Sequence, residues 1–404
     1  MSHFKKRLLL FKNPAFSWYV LACVLATMGG GFSYVALTWT VVSMHSSVFS
    51  VAMLMICFWL PGVLLAPFIG VLVDRVARKS LLAWSNLMRA MTLFVMGFLI
   101  LHFNSLIMLY IFGLILGTFF SIYLPAAFTF VREIVAEDQL LVGNATIDMA
   151  YEMGNVIGMG SAGVVIAITS ISWAYIINSL YLLIAAILMF CIAKHHIASI
   201  QSEKKRVKDF FEDVSAGFRY VRDNRNLCLI YVIQLLIAVQ FMTTPILLAP
   251  FAKQILHLGV KQFGHVEAAL SIGVVIGGML FPWFAERLNL VKTLIVAVAI
   301  CGLCFVAFGY NRNFTMAEIL YFMIGLALAC WPMILTKAQE MTEIEFQGRV
   351  MATFNSLMGI SILLMYGFVS MGSRYISVSH LYWSQMVISV LAIFLLFRFR
   401  RQMN

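Results

Sequence analysis

The chain of 404 residues is 62% hydrophobic and only 11% charged. A soluble domain cannot hide that much apolar surface inside one core, so the composition predicts a polytopic membrane protein. The formal net charge of +11 is compatible with a nucleic-acid partner, but Lys and Arg are dispersed among short segments between apolar runs, which favours membrane orientation over nucleic-acid binding.

Twelve apolar runs are long enough to cross a bilayer, which takes about 20 residues of helix. Most are joined by short connections, so neighbouring helices are expected to run antiparallel. The exception is 194–226, a basic stretch followed by an amphipathic one. The pattern predicts an all-α polytopic membrane protein with two pseudo-symmetric six-helix bundles, 1–193 and 227–404, joined by a cytoplasmic linker. The runs cover roughly 16–42, 48–73, 80–103, 105–130, 139–168, 172–193, 227–252, 263–285, 291–310, 315–336, 349–373 and 377–397.

The distribution of basic residues predicts the orientation, because Lys and Arg accumulate on the cytoplasmic side of membrane proteins. With the N-terminus inside, most of the 28 basic residues fall in inner segments. The outer segments hold only Lys253, Lys261, Arg312 and Arg374. Both termini are therefore predicted to be cytoplasmic. The basic linker is expected to lie along the inner leaflet, attracted by anionic lipid through Lys204 to Lys208.

A strongly polar turn joins the second and third runs. Residues 70–79 read Gly-Val-Leu-Val-Asp-Arg-Val-Ala-Arg-Lys. The spacing closely resembles the motif that major facilitator transporters carry between their second and third helices. A degenerate copy, Glu286-Arg287, follows the eighth run. The resemblance implies gating of the cytoplasmic side by Gly70, Asp74, Arg75, Arg78 and Lys79, with Glu286 and Arg287 in the second half.

The two halves repeat each other weakly, as expected for parallel six-helix repeats. The spacing in the fifth run recurs in the eleventh, where Gly143, Met153 and Gly154 correspond to Gly348, Met358 and Gly359. Glycines of the fifth and eighth runs, including Gly158 and Gly273, form small-x-x-x-small ladders that let helices approach closely. Either they pack helices statically or they provide smooth surfaces on which the two halves rock.

Arg89, Asp148 and Glu152 are the charged residues that lie deepest in the predicted spans, where an ionisable side chain is a functional candidate by default. A rise of 1.5 Å per residue from Gln139 puts Asp148 about 14 Å and Glu152 about 20 Å deep, on one helix face. Arg89 reaches a depth similar to that of Asp148. We therefore expect an Arg89–Asp148 pair, with Glu152 as the freer acid that carries a proton, unless all three form a static packing network. The second half is expected to have no comparable acid, since Leu357 occupies the position equivalent to Glu152.

A fuller resemblance extends over nearly the whole chain. Residues 347–352, Pro125 to Ala127 and Asn86 to Arg89 look like the major facilitator branch of macrolide-efflux and enterobactin-exporter-like proteins. The resemblance implies alternating access in a bacterial inner membrane, with the first, fourth, seventh and tenth spans lining a cavity. Candidate lining residues are Tyr34, Trp39, Tyr123, Gln234, Gln240, Met242, Trp331 and Met333.

Some features depart from drug antiporters of that superfamily. Residues 104–130 contain no base, and the fifth span lacks the Gly-Pro pair that such antiporters often carry. The leading interpretation is a proton-coupled exporter of bulky amphipathic molecules, siderophore-like or macrolide-like. A lipid or lysolipid transporter is the alternative, and a non-transporting receptor or assembly factor on the same fold is a third. We expect a monomer in contact with membrane lipids.

Metal, nucleotide and redox sites are poorly supported. Cys301 and Cys304 have redox-like spacing but stand in the middle of a predicted span, where Cys acts as a small hydrophobe. His195-His196 lies in the linker without acids or Cys at ligand spacing. The chain has no Walker-type loop and no GxGxxG after a strand. We therefore expect no cofactor, no metal and no enzymatic activity.

Overall fold

The computed structural model describes residues 10–103, 105–193 and 207–403, and within them the regular structure is helical. The basic residues Lys204, Lys205 and Arg206 and the His195-His196 pair lie outside the described residues. Up to the linker, the helices are α1 (Pro14–Met44), α2 (Val48–Leu64), α3 (Ala66–Arg75), α4 (Arg78–Leu99), α5 (Leu106–Ile134), a 3₁₀ turn (Glu137–Gln139), α6 (Leu140–Ile168) and α7 (Ile171–Cys191).

The second half begins with the linker helix. Its elements are α8 (Val207–Asp223), α9 (Arg225–Gln254), α10 (Val260–Leu288), α11 (Leu290–Tyr310), α12 (Phe314–Leu328), α13 (Trp331–Glu340), α14 (Ile344–Gly372) and α15 (Val378–Met403). Among the described residues, eleven helical segments are long and apolar enough to cross a membrane, and the number rises to twelve if α2 and α3 form one span. The predicted number of spans agrees with that count.

Two of the spans are broken near a proline. The axes of α2 and α3 differ by 58°, and Pro67 stands in the first turn of α3. A proline is tolerated there because its missing N–H is not needed in the first helical turn. The tenth span, Phe314–Glu340, is interrupted by a short turn between α12 and α13, with Pro332 in the first turn of α13, but it has no comparable bend.

Contacts divide the chain into two compact units. The first comprises Met1–Thr40 and Cys57–Val207, and the second comprises Val41–Ile56 and Lys208–Asn404. The end of α1, the connection that follows it and the first half of α2 therefore group with the second unit, where the side-chain amide of Gln254 donates to the Ser46 carbonyl. The predicted bundles, 1–193 and 227–404, assign each helix as a whole to one bundle, so the sequence did not predict this grouping.

Helix α6 packs closely on α1 inside the first unit. A Cβ added to Gly154 would lie 1.9 Å from the Thr27 hydroxyl oxygen, and one added to Gly158 would lie 2.1 Å from the Met28 carbonyl oxygen. Both positions therefore require glycine for close approach. Of the two interpretations given above, static packing within one bundle describes these glycines.

The glycines of α10 have the same role in the second unit. A Cβ on Gly273 would lie 2.1 Å from the Phe322 carbonyl oxygen of α12, and a Cβ on Gly325 of α12 would lie 2.0 Å from the Leu270 carbonyl oxygen. The two helices thus approach each other through small residues on both sides. At Gly273, the surface of α10 on which the two halves were expected to rock is a packing surface inside the second unit.

The linker helix α8 packs on α14. Asp213 forms an ion pair with Arg349 at 3.3 Å, and the Thr353 hydroxyl donates to the Val214 carbonyl at 2.9 Å. The rings of Tyr220 and Phe346 stack with centroids 4.5 Å apart. The described part of the predicted linker therefore contacts α14 along one face. The sequence predicted only that the linker lies on the lipid.

Candidate functional site

The two acids predicted inside the membrane lie one turn apart on α6. This helix follows the 3₁₀ turn and is held against α1 at Gly154 and Gly158. Asp148 is exposed, and Glu152 is half-buried. Neither carboxylate forms an ion pair with a described residue. The helix therefore presents a small acidic face that can take up a proton or a cationic group.

Arg89 does not pair with Asp148. Its guanidinium is 3% exposed and lies 5.5 Å from the Phe120 ring centroid and 5.6 Å from that of Tyr123. Nη1 donates a long hydrogen bond of 3.4 Å to Asn86 Oδ1 on the preceding turn. The predicted pair is thus not formed in the structure, because the side chain is directed into an aromatic environment whose ring faces attract a cation.

The first polar turn is tied to its own bundle by ionic contacts. Arg78 on α4 pairs with Glu133 at the end of α5 and lies 4.0 Å from Asp74 on α3. The Lys79 ammonium donates to the carbonyls of Phe190, at 3.1 Å, and Ile192 near the end of α7. The turn therefore joins the ends of four helices of the first unit.

Other residues of this turn have fewer constraints. Arg75 is exposed, and a Cβ added to Gly70 would meet no atom within 4 Å. Glu133, the main partner of Arg78, was not among the predicted gating residues. Its sequence signal was an acid beside Arg132 at the end of an apolar run, the same acid-base arrangement that singled out Glu286.

The corresponding turn of the second unit lacks such a network. Glu286 and Arg287 are both exposed, and neither forms an ion pair with a described residue. The Arg287 guanidinium lies 4.0 Å above the Trp283 ring instead. The second copy is thus degenerate in its contacts as well as in its sequence.

The predicted cavity residues fall into two groups. Trp39, Tyr123, Gln234 and Gln240 are buried, whereas Tyr34, Met242, Trp331 and Met333 are half-buried. Gln240 Nε2 donates to the Ser389 hydroxyl at 2.7 Å and to the Gln385 carbonyl at 3.0 Å, so its amide holds α15. Among the described residues, neither amide atom of Gln234 has a hydrogen-bond partner. A cavity-lining role for the eight stays a prediction, and the half-buried group is better placed for it.

The second unit also holds a buried acid that the sequence interpretation missed. Glu267 on α10 is 4% exposed, and the Ser271 hydroxyl donates to its backbone carbonyl. Glu267 lies only about 10 Å along α10 from its start, so the expectation that the second half has no acid as deep as Glu152 stays a prediction. The signal was available, because Glu267 lies within the run assigned to the eighth span.

The chain matches a known family over most of its length. The family model described as Major Facilitator Superfamily matches residues 19–310 and 230–404. The chain belongs to this superfamily. It is therefore an integral membrane transporter and not an enzyme, as the sequence predicted. Transporters of this superfamily bind small-molecule substrates and typically work as monomers.

Two relatives are MFS-type transporters from Bacillus subtilis (strain 168), both described as uncharacterized. The transporter is 22% identical to YfmI over 313 residues, which cover 74% of this chain and 75% of YfmI. It is 26% identical to YfiS over 183 residues, covering 45% of this chain and 43% of YfiS. These relatives support the superfamily, and they do not distinguish the macrolide-efflux and enterobactin-exporter-like branch from others.

Several solved transporter structures share the fold of this chain. The nucleoside transporter NupG aligns with a TM-score of 0.74 at 12% identity, covering 97% of this chain and 99% of NupG. A bacterial homologue of the iron transporter ferroportin aligns with a TM-score of 0.76 at 12% identity, covering 95% of this chain and 98% of the homologue. A bacterial homologue of the human lysosomal transporter Spinster aligns with a TM-score of 0.70 at 13% identity, covering 96% of this chain and 97% of the homologue. At these identities the likeness shows the fold alone, which confirms the predicted major facilitator architecture.

Proposed function

We propose that this transporter is a proton-coupled exporter of bulky amphipathic small molecules that works by alternating access. The observation that carries the proposal is the acidic face of α6, where Asp148 is exposed and Glu152 half-buried within a membrane span. An ionisable group at such a depth is costly unless it is hydrated, paired or neutralised by a proton. Since no described base pairs with either acid, protonation is the remaining way to neutralise them.

Coupling would follow from a change in the surroundings of Glu152. When the site opens to the outside, water favours the carboxylate's exchange of protons with the outer solution. When it opens to the inside, the proton is released there and substrate binds, and the return to the outward-open state carries the substrate out. The half-buried position suits this cycle better than full burial would, because the carboxyl must reach water in part of it.

Arg89 has a different place in this scheme from the one that the sequence predicted. Its aromatic surroundings offer partial compensation for the buried charge, so the acids of α6 do not neutralise it. Asp148 is then free to act with Glu152, since like charges one turn apart make it unfavourable for both to be ionised. The pair would release and bind one proton more readily than an isolated buried acid.

The cytoplasmic gate is proposed at the first polar turn. The Arg78 network holds the ends of α3, α4 and α5 as one rigid edge, whereas Arg75 is exposed and available for other contacts. The proposed orientation, with both termini in the cytoplasm of a bacterial cell, places this turn on the inner side. Proton entry from outside then drives export.

The proposed substrate class rests on the resemblance of the sequence to macrolide-efflux and enterobactin-exporter-like transporters. Tyr34, Met242, Trp331 and Met333 are half-buried and offer the large, adaptable surfaces that amphipathic ligands contact. A lysolipid would suit the same surfaces, so it stays the alternative substrate.

A two-step experiment tests the proposed function. Macrolides, catecholate siderophores and lysophospholipids are first screened on purified protein for thermal stabilisation. The stabilising compound is then loaded into proteoliposomes, and its flux is measured with an imposed proton gradient, an imposed sodium gradient and no gradient. The proposal predicts acceleration by the proton gradient alone, abolished by a protonophore. Flux that is insensitive to the proton gradient would contradict proton coupling, and stabilisation by lysophospholipids only would favour the alternative substrate.

A further inference from the structure

An apolar cavity of about 190 Å³ lies within the second unit, where α8 meets α9 and α14. Phe218 and Val221 of α8 form one wall, Cys228 and Val232 of α9 another, and Leu357 of α14 a third. The accessible surface of these walls is apolar. Apolar cavities of about 150 Å³ stay dry and take up hydrocarbon ligands of benzene size. The cavity therefore suits a hydrocarbon group better than water.

The cavity stands beside a tight contact between helices. A Cβ added to Gly217 of α8 would lie 2.4 Å from the Arg349 carbonyl oxygen of α14, so the two backbones nearly touch there. The Asp213–Arg349 ion pair and the stacked Tyr220 and Phe346 rings fix the same face of α8. These contacts fix the position of α8 on α14. The cavity on the neighbouring face of α8 is therefore bounded by helices that are held in place.

The neighbouring face of α8 is apolar and exposed. Phe211 is 59% and Phe218 is 50% exposed. At 3.6 residues per turn, residues seven apart differ by only about 20° around the helix, so both rings lie on one line. An amphipathic helix with such rings places them in the boundary between headgroups and acyl chains. Phe218 also forms a cavity wall, so the cavity borders this exposed apolar face of α8.

One basic residue lines the cavity, and two more are close to it in sequence. Arg222 contributes to the cavity lining, and the exposed Arg219 and Arg225 are close to it in sequence. Arg222 pairs with the exposed Asp223 at 3.2 Å, and an ion pair in water is weak enough to be exchanged for another anion. An acyl chain in the cavity would place its headgroup at the level of this basic end of the helix. That arrangement matches a lipid with an anionic headgroup.

We propose that the cavity binds the segment of one acyl chain of an anionic phospholipid that lies nearest the headgroup, with the headgroup phosphate against Arg222. The bound lipid fills the space between α8, α9 and α14 and so holds the linker helix on the second bundle. The cavity belongs to the second unit and the acids of α6 belong to the first, and the proposal does not depend on which compound is transported.

Native mass spectrometry of the purified full-length protein tests the proposal. Phosphatidylglycerol and phosphatidylcholine with identical acyl chains are titrated, and the affinity of the first bound lipid is compared. Wild type should prefer phosphatidylglycerol. Val232→Phe fills the cavity and should abolish this tight binding, whereas the matched variant Val296→Phe, at a 51% exposed position on α11, should retain it. Arg222→Gln should weaken phosphatidylglycerol about fivefold, the effect of one base near an anionic surface, and leave phosphatidylcholine unchanged.

A second measurement keeps the test independent of the folding of any variant. The rate at which a maleimide labels Cys228 is followed by peptide mass spectrometry, with the exposed Cys191 of the same molecules as reference. Phosphatidylglycerol should slow labelling of Cys228 several-fold and leave Cys191 unchanged. Unchanged labelling of Cys228, or equal lipid affinity of Val232→Phe and Val296→Phe, would overturn the cavity assignment. Equal affinity of wild type for the two lipids would overturn the anionic headgroup.

Discussion

The repeat-related helices α6 and α14 are used differently in the two halves. Asp148 and Glu152 of α6 correspond to Thr353 and Leu357 of α14. Asp148 is exposed, while the Thr353 hydroxyl bonds the Val214 carbonyl of the linker helix. Duplication thus produced one helix with an open acidic face and one covered by α8. The proposed proton site and the attachment of the linker helix therefore occupy equivalent places in different halves.

The polar turns sharpen this comparison and give the largest expected effect. Arg78→Met removes the partner of Glu133, which is only 9% exposed, and breaking a buried pair costs about 3–5 kcal/mol. The equivalent change in the second unit, Arg287→Met, alters an exposed residue and should cost less than about 0.5 kcal/mol. Free energies of unfolding in mixed micelles measure both. Equal losses would show that the two turns do not differ in the way described.

Helix packing gives the next largest effect. Gly158→Ala places a methyl group against the Met28 carbonyl of α1, and overpacking of this kind costs about 1–3 kcal/mol. Gly348→Ala is the matched control on α14, where a Cβ meets no atom within 4 Å. It should be neutral or stabilising by up to about 1 kcal/mol, since alanine is the better helix former. Thermal unfolding of the two variants distinguishes them, and a neutral Gly158→Ala would show that α1 and α6 are not in close contact.

The attachment of α8 should depend modestly on its ion pair. Asp213→Asn removes the partner of Arg349, and a partly exposed pair is worth up to about 1 kcal/mol. Hydrogen exchange in α8 should therefore accelerate by no more than about fivefold, with exchange in α6 unchanged. Glu212→Gln on the charged face of the same helix is the control, because its partner Lys208 is exposed. Faster exchange in both variants would show that general charge, rather than this contact, holds α8.

Arg89 should give the smallest effect on stability. Replacing a buried charge by an apolar side chain of similar length is often neutral, provided that no charged partner is left behind. Arg89→Met is therefore expected to change the free energy of unfolding by less than about 1 kcal/mol. A loss as large as that of Arg78→Met would mean that Arg89 has an ionic partner after all, as the sequence suggested.

The sequence predicted the parts of this molecule that depend on local pattern. Apolar runs of sufficient length identified the spans, and the polar spacing at 70–79 identified the family, because both signals are contiguous. The partners of charged side chains were predicted less well. Helical depth placed Arg89 level with Asp148, but depth does not give rotation about the axis, and Arg89 points to Phe120 and Tyr123 instead. Glu133 was missed because its partner is distant in sequence.

The central claim is that the acidic face of α6 couples proton movement to transport. Proteoliposomes containing wild type, Glu152→Gln or Glu137→Gln test it most directly, with the stabilising compound followed both as exchange without a gradient and as flux under a proton gradient. Glu137 lies exposed in the 3₁₀ turn before α6 and serves as the matched acid. The account predicts that Glu152→Gln keeps exchange but loses acceleration by the gradient, while Glu137→Gln keeps both. Full gradient-driven flux by Glu152→Gln would contradict the claim and leave Glu152 a packing residue.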